Sequence, residues 1–319
     1  MLKQVNSFLE KRMLFLTPTA VVIGVICSSW LHTMAPLVPW IFAFITFVSS
    51  LGIKVTQLKR SLLHPLPILF SLMIIQLIMP LIALCIGHLF FTDDLYTIVG
   101  LIIAFIIPTG VISLMWVSIY KGDLSVTLLI VLINTLLSPL FVPLSLQLFV
   151  GASIELDIVQ LMSSLFWMIV VPSLLGIVMN EFVIKSSKTV KGMLSPFAKF
   201  SLLIVIAVNS SVAAPAFQLN GHLMKITFTV FILASLGYLL GAVFARLIRS
   251  NDQVTISMLF NSGMRNISVG ATIAIVYFPP QVSVPIVIGT LFQQTLAALS
   301  GKILTSFLHK MNQNMKSIS

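Results

Sequence analysis

Apolar runs, each about as long as a bilayer is thick, recur from one end of this chain to the other and leave it few ways to fold. Ten of them lie near 13–33, 37–53, 65–91, 96–120, 124–150, 158–180, 193–217, 224–246, 254–278 and 281–308. A helix crosses the hydrocarbon core with about 20 mainly apolar residues. Inside lipid every backbone N–H and C=O must find its partner within the protein, so such runs become helices. Charge usage agrees. Only 8% of the residues are charged, against roughly 25% in soluble domains, whose surface faces water. The expectation is an all-α membrane protein with ten transmembrane helices and the lipid bilayer as its surroundings. No cleavable leader is expected, because residues 1–12 are polar and the run that follows has no small-residue cleavage site.

The formal net charge of +10 does not point to nucleic acid, since the basic residues form no stripe. They follow the positive-inside rule instead, by which Lys and Arg collect in cytoplasmic loops. Lys3, Lys11 and Arg12 precede the first run. Lys54, Lys59 and Arg60, then Lys121, then Lys185, Lys188 and Lys191, then Arg246 and Arg249 occupy alternate connections, and Lys310 and Lys316 follow the last run. The other connections hold Asp93, Asp94, Glu155 and Asp157, with Lys225 the exception. This alternation predicts a multi-pass protein of the plasma membrane with both termini cytoplasmic. Cys27 and Cys85 fall inside apolar runs and read as small core residues, unable to build a metal site or a disulfide framework.

An even number of spans with a polar midpoint near 151–157 divides the chain five plus five. An odd number of helices per half then gives two inverted repeats, near 13–150 and 158–308, within one transporter domain. Spans four and nine correspond, and both are interrupted: Pro108-Thr109-Gly110 in one, Asn261-Ser262-Gly263 in the other. Paired interruptions in matching places of two halves point to a transporter binding site. Broken helices free backbone groups at membrane depth, which is tolerated only inside protein or beside a cavity. Ordinary kinks at Pro and Gly are the alternative.

All eight acidic residues map to loops or span ends, whereas Arg265 falls near the middle of span nine. An Arg at a helix centre costs about 2.5–3.5 kcal/mol on insertion scales, so it needs a partner, water or a ligand. With no acid at that depth, helix C-terminal carbonyls and an anionic ligand are the expected partners. The planar guanidinium suits a carboxylate; an Arg that merely ties up carbonyls is the bland alternative. Gln76, Ser113, Thr127, Asn134, Asn261, Asn266, Ser268, Gln293 and Gln294 lie on spans three, four, five, nine and ten. Such groups commonly bond helix to helix. With Arg265 they also make a plausible polar chamber, for which Asn209, Ser210 and Ser211 are candidates for the other wall. His32, His64, His88, His222 and His309 sit near span ends. No nucleophile–base pair or metal-ligand set stands at membrane depth, so an enzyme is not expected.

These residues resemble the bile acid:sodium symporter family in its wider sense, which includes bacterial carriers of small carboxylates. The resemblance covers nearly the whole chain. It is carried by Gln76 with Pro80, by Pro108, Gly110, Ser113 and Lys121-Gly122, by Thr135-Leu136-Leu137-Ser138-Pro139, and by Gly263-Met264-Arg265-Asn266. It implies a panel domain (near 13–53 and 158–217), a core domain (near 65–150 and 224–308), and fourth and ninth helices that cross at their breaks. It also implies a substrate site at Arg265, Asn266, Asn261, Gln293, Gln294, Thr109 and Gly110. The sodium positions of coupled members fall on Gln76, Ser113, Leu114, Thr127, Val131, Asn261, Met264 and Arg265. Several have lost their oxygens: Leu114 replaces an Asn, Val131 a hydroxyl, Asn261 a Glu and Arg265 a Gln. Two unit charges about 4 Å apart repel by roughly 4 kcal/mol at an effective dielectric of 20, nearly a thousandfold in affinity.

The resemblance therefore implies a secondary transporter of a small organic anion by alternating access, with weakened or no sodium coupling. The alternative is sodium:organic anion symport through a residual, weak sodium site at Ser113, Thr127 and Asn261; no other cofactor is expected. Moving a monovalent anion inward against 100 mV costs about 2.3 kcal/mol, so efflux, exchange or facilitated movement fits an uncoupled carrier. An arsenite-type efflux carrier is a rival, because Met115-Trp116-Val117-Ser118 resembles arsenical-resistance carriers, but 96–150 contains no thiol for a soft ligand. A membrane receptor or sensor is the alternative outside transport. The sequence leaves the oligomeric state open, a monomer included.

Overall fold

A computed structural model describes residues 2–53, 65–151, 157–183, 187–218 and 220–318 of the chain. Among them there is no strand; the fold is helical throughout. In chain order the helices are α1 (Leu2–Ile26), the short α2 (Ser28–Leu31), α3 (Val38–Ser50), α4 (Pro65–Phe90), α5 (Leu95–Ile106), α6 (Ser113–Ile119) and α7 (Leu124–Val150). They continue with α8 (Ile158–Phe182), α9 (Ser187–Ala213), α10 (Gly221–Leu247), α11 (Asp252–Gly263), α12 (Ile267–Tyr277) and α13 (Pro280–Ile318).

Seven helical stretches among the described residues are long and apolar enough to cross a membrane: Ser28–Ser50, α4, α7, α8, α9, α10 and α13. The remaining mass is α1, whose apolar part is Phe15–Ile26, and the pairs α5–α6 and α11–α12. Those pairs are the two places where an interrupted span is expected from the sequence.

The expected boundaries shift at three points. The first break falls at Cys27, before the polar Ser28-Ser29 pair, rather than near 34–36. Residues His32–Leu37 form a 3-10 turn instead of a loop, held by Thr33 Oγ1 donating to the Trp30 carbonyl at 2.7 Å. The polar leading segment is helical from Leu2, and α13 runs to Ile318. Neither Cys27 nor Cys85 is a core residue; both are exposed on the helical surface. The basic positions Lys54, Lys59, Arg60 and Lys185, with Glu155 and His64, lie outside the described residues.

Polar residues at the connections make helix ends. Asp94 caps α5 by accepting from Thr97 N at 3.0 Å, Asp123 caps α7 from Ser125 N at 2.8 Å, and Asp157 caps α8 from Gln160 N at 2.9 Å. Asn220 and Asn251 do the same for α10 and α11. Each side chain satisfies a first-turn N–H that the helix itself cannot, and a carboxylate there also meets the positive end of the helix dipole. Lys225, the exception to the charge alternation, donates to the Phe90 carbonyl at the C-terminus of α4 and lies 5.1 Å from the Phe91 ring centroid. It binds a helix end.

Packing joins α1, α3 and α8 to one another through α9 and α3, while α10 packs on α11, and α13 on α5, α10 and α12. The α10–α11 contact depends on glycine. A Cβ on Gly241 would fall 2.5 Å from the Met258 carbonyl oxygen, and one on Gly237 would fall 2.9 Å from that of Ser262. Gly241→Leu is therefore expected to destabilise the fold by about 1–3 kcal/mol through overpacking, read as a lower unfolding midpoint in detergent. Gly221→Ala, which meets open space, is expected to stay within about 0.5 kcal/mol of the parent; equal midpoints for the two variants would contradict this packing.

Candidate functional site

The two interrupted helix pairs meet backbone to backbone. Pro108 cannot donate, and the segment from Ile107 to Ile112 leaves the α-helix, as do Met264, Arg265 and Asn266. Each break supplies what the other lacks: Asn266 N donates to the Pro108 carbonyl at 2.8 Å, and Thr109 Oγ1 donates to the Met264 carbonyl at 3.0 Å. Gly110 makes the approach possible, since a Cβ there would stand 3.1 Å from the Arg265 carbonyl oxygen. Thr109, Met264 and Arg265 are buried at this crossing.

Below it, polar side chains from three helices interlock. Asn261 Nδ2 donates to Thr127 Oγ1 at 3.1 Å and to the Ser257 carbonyl at 2.8 Å, while Ser113 Oγ donates to Asn261 Oδ1 at 3.4 Å. All three side chains are fully buried. Leu114 and Val131 contribute no oxygen. Gln76, in the π turn Ile74–Ile78 of α4, does not join this cluster but donates to Asn134 Oδ1 of α7.

Arg265 is 4% exposed. Its Nη1 donates to the Ser262 carbonyl at 2.9 Å, closing the C-terminus of α11. Nε and Nη2 are buried and have no hydrogen-bond partner among the described residues. A buried guanidinium with unmet donors costs a few kcal/mol unless a counter-group reaches it.

That side chain borders a cavity of about 290 Å³. One wall is the crossing, with Gly110, Arg265, Asn266 and Ser268; Gln293, Gln294 and Thr290 of α13 and Val131 of α7 adjoin it. The facing wall comes from α1, α3, α8 and α9. Gln294 is itself held, its Oε1 accepting from Trp116 Nε1 at 3.0 Å.

The expected far wall is not where the cavity lies. Asn209, Ser210 and Ser211 are buried in α9 but do not border it. Ser210 and Ser211 bond back to the Ile206 and Val208 carbonyls, and Ser210 packs at Gly24 of α1. Ser210 belongs to a helix contact, and Asn209 Nδ2 and Oδ1 are buried with no hydrogen-bond partner among the described residues. α9 instead presents Lys191, Ser195 and Lys199 to the cavity, and Glu10 of α1 borders it as well. The charge alternation puts Lys191 in a connection and Glu10 in the polar leading segment, whereas Lys199 falls inside the expected span 193–217. The spacing of Lys191, Ser195 and Lys199, four residues apart on one helix face, was the signal that could have found them.

Residues 39–218 match the Sodium Bile acid symporter family. The chain belongs to that family. Its sequence is 46% identical over 294 residues to the uncharacterized protein YbaS of Bacillus subtilis (strain 168), covering 92% of this chain and 96% of that one. It is 26% identical over 285 residues to the uncharacterized sodium-dependent transporter YocS of the same organism, covering 86% and 85%. The hepatic sodium/bile acid cotransporter of Rattus norvegicus is 24% identical over 252 residues, covering 74% and 67%. Membership in this family joins the apolar helices in marking a multi-pass membrane protein.

Within this family member the Asn261 cluster is expected to be structural in its own right. Asn261→Leu leaves the Ser113 and Thr127 hydroxyls without their partner and should cost about 1–3 kcal/mol, measured as a lower unfolding midpoint in detergent. A midpoint equal to the parent's would remove Asn261 as the tie between α6, α7 and α11.

Proposed function

We propose that this protein is a secondary transporter that moves a small organic anion by alternating access, with Arg265 as its principal anion-binding group. One observation carries the reading: Arg265, buried at the helix crossing, is among the residues that border a cavity, and two of its three guanidinium nitrogens have no hydrogen-bond partner among the described residues. A carboxylate is the group that a guanidinium fork accepts best, through two charge-assisted hydrogen bonds. Asn266, Gln293 and Gln294 border the same cavity and can donate to further oxygens. The N-terminus of α12 has no side-chain cap, and its positive dipole end favours the same charge. Thr109 and Gly110 hold the crossing rather than the ligand.

Sodium-dependent relatives raise sodium as a coupling ion, yet the residues here fit it poorly. Ser113, Thr127 and Asn261 offer only neutral oxygens, already engaged with one another. Arg265 stands one helical turn beyond Asn261, where its fixed charge repels a second cation. In this reading the guanidinium replaces the ion, transport runs with weakened or no sodium coupling, and Leu114, Val131 and Met264 mark the lost ligands. The family resemblance implies panel helices (near 13–53 and 158–217) and core helices (near 65–150 and 224–308), with the moving contact at the cavity, and it implies two inverted repeats. Ten spans in two such repeats make the two broken pairs equivalent, and the charge alternation puts both termini in the cytoplasm.

Flux of labelled small carboxylates into proteoliposomes tests this directly. Wild-type flux should be the same with sodium or choline as the external cation. Arg265→Gln should lose anion flux by at least about tenfold, the value of a charge-assisted hydrogen bond, or make it respond to sodium. Sodium-dependent flux in the wild type, or an unchanged Arg265→Gln, would sink the reading.

A further inference from the structure

The cavity has a second charged pole, on the wall facing the crossing. Along α9, Lys191, Ser195, Lys199, Leu202 and Ile206 recur at three- and four-residue steps and share one face; all five border the cavity. From Lys191 to Ile206 this face runs about 22 Å at 1.5 Å per residue. Ile206 belongs to the same buried cluster as Val287 of α13, one turn before Thr290, which borders the cavity with Arg265. Lys191 is at the opposite end.

The two ammonium groups on this face differ. Lys199 Nζ is paired with Glu10 Oε1 at 2.8 Å and Asn6 Oδ1 at 2.7 Å. Lys191 Nζ has one long bond, 3.4 Å, to the Ser49 carbonyl at the end of α3. Gly52 makes the niche for it, since a Cβ there would lie 2.1 Å from Nζ. Arg265, Lys191 and Lys199 thus border the cavity with Glu10 as the single carboxylate there among the described residues. Two positive charges are left over. Between the poles the α9 face carries Ser195 and the Glu10–Lys199 pair next to Lys191 and is apolar at Leu202 and Ile206 toward the crossing.

We infer that Lys191 is a second anion-binding residue, and that the substrate class is an elongated organic acid with an acidic group at each end. One end meets Arg265, the other meets Lys191, and the stretch between them runs along Ile206 and Leu202 and then past the Glu10–Lys199 pair and Ser195. This rests on the reading of Arg265 given above. The Glu10–Lys199 pair already puts a carboxylate on an ammonium of this wall, and Lys191 is the one still open to a ligand.

Proteoliposome uptake of α,ω-dicarboxylates against monocarboxylates of equal chain length tests it, in the parent, Lys191→Gln, Lys191→Arg and Arg265→Gln. The parent should take dicarboxylates at lower half-saturating concentration. Lys191→Gln should raise that concentration at least about tenfold, the loss of one charge-assisted contact, with monocarboxylates unchanged; Lys191→Arg should retain the preference. Arg265→Gln should impair both acids, and failure of that arm alone would overturn the reading of the crossing, not of Lys191. Equal losses for both acids in Lys191→Gln would show general attraction of anions and overturn the second site. So would an unchanged Lys191→Gln, or a parent that prefers monocarboxylates at every length.

Discussion

The crossing of two broken helices governs the rest of this molecule. At Pro108 and at Met264 the chain leaves the α-helix where lipid offers no hydrogen bonds, and each orphaned group costs several kcal/mol if left alone. Asn266 N with the Pro108 carbonyl, and Thr109 Oγ1 with the Met264 carbonyl, resolve that problem mutually. Neither break is tolerable without the other. The close approach they require explains Gly110, whose missing side chain lets the Arg265 backbone come near.

From this crossing follow both the buried polar cluster and the cavity. Asn261, Thr127 and Ser113 tie α11 to α7 and α6 just before the break. Arg265 closes the end of α11 through one nitrogen and retains two unmatched ones. The structure thus places a fixed positive charge beside a hollow whose walls carry few acids.

Elsewhere the ionic groups serve helix ends. Asp94, Asp123 and Asp157 are N-caps, and Lys225 binds a C-terminal carbonyl. Their chemistry is local, which is why an acid count along the sequence located loops so well. Glu10 departs from that pattern. It lies within α1, pairs with Lys199 and borders the cavity while its side chain stays 45% exposed, so a residue read as part of a polar leader reaches the cavity's edge.

Run length and charge sparsity by themselves determined that the chain is helical and membrane-embedded, because lipid permits no other use of such segments. The mid-span breaks and the isolated Arg265 were legible for the same reason: polar groups at that depth need an unusual environment. Tertiary structure alone decided which partners meet. Gln76 went to Asn134 rather than to the Asn261 cluster, Ser210 went to a contact with α1, and none of Asn209, Ser210 and Ser211 borders the cavity. Lys191 borders the cavity although its surroundings in sequence resemble a loop. Hydropathy records how deep a residue sits along a span, but which side of the helix faces protein, hollow or lipid depends on rotation and neighbours, and these are fixed only when the helices pack.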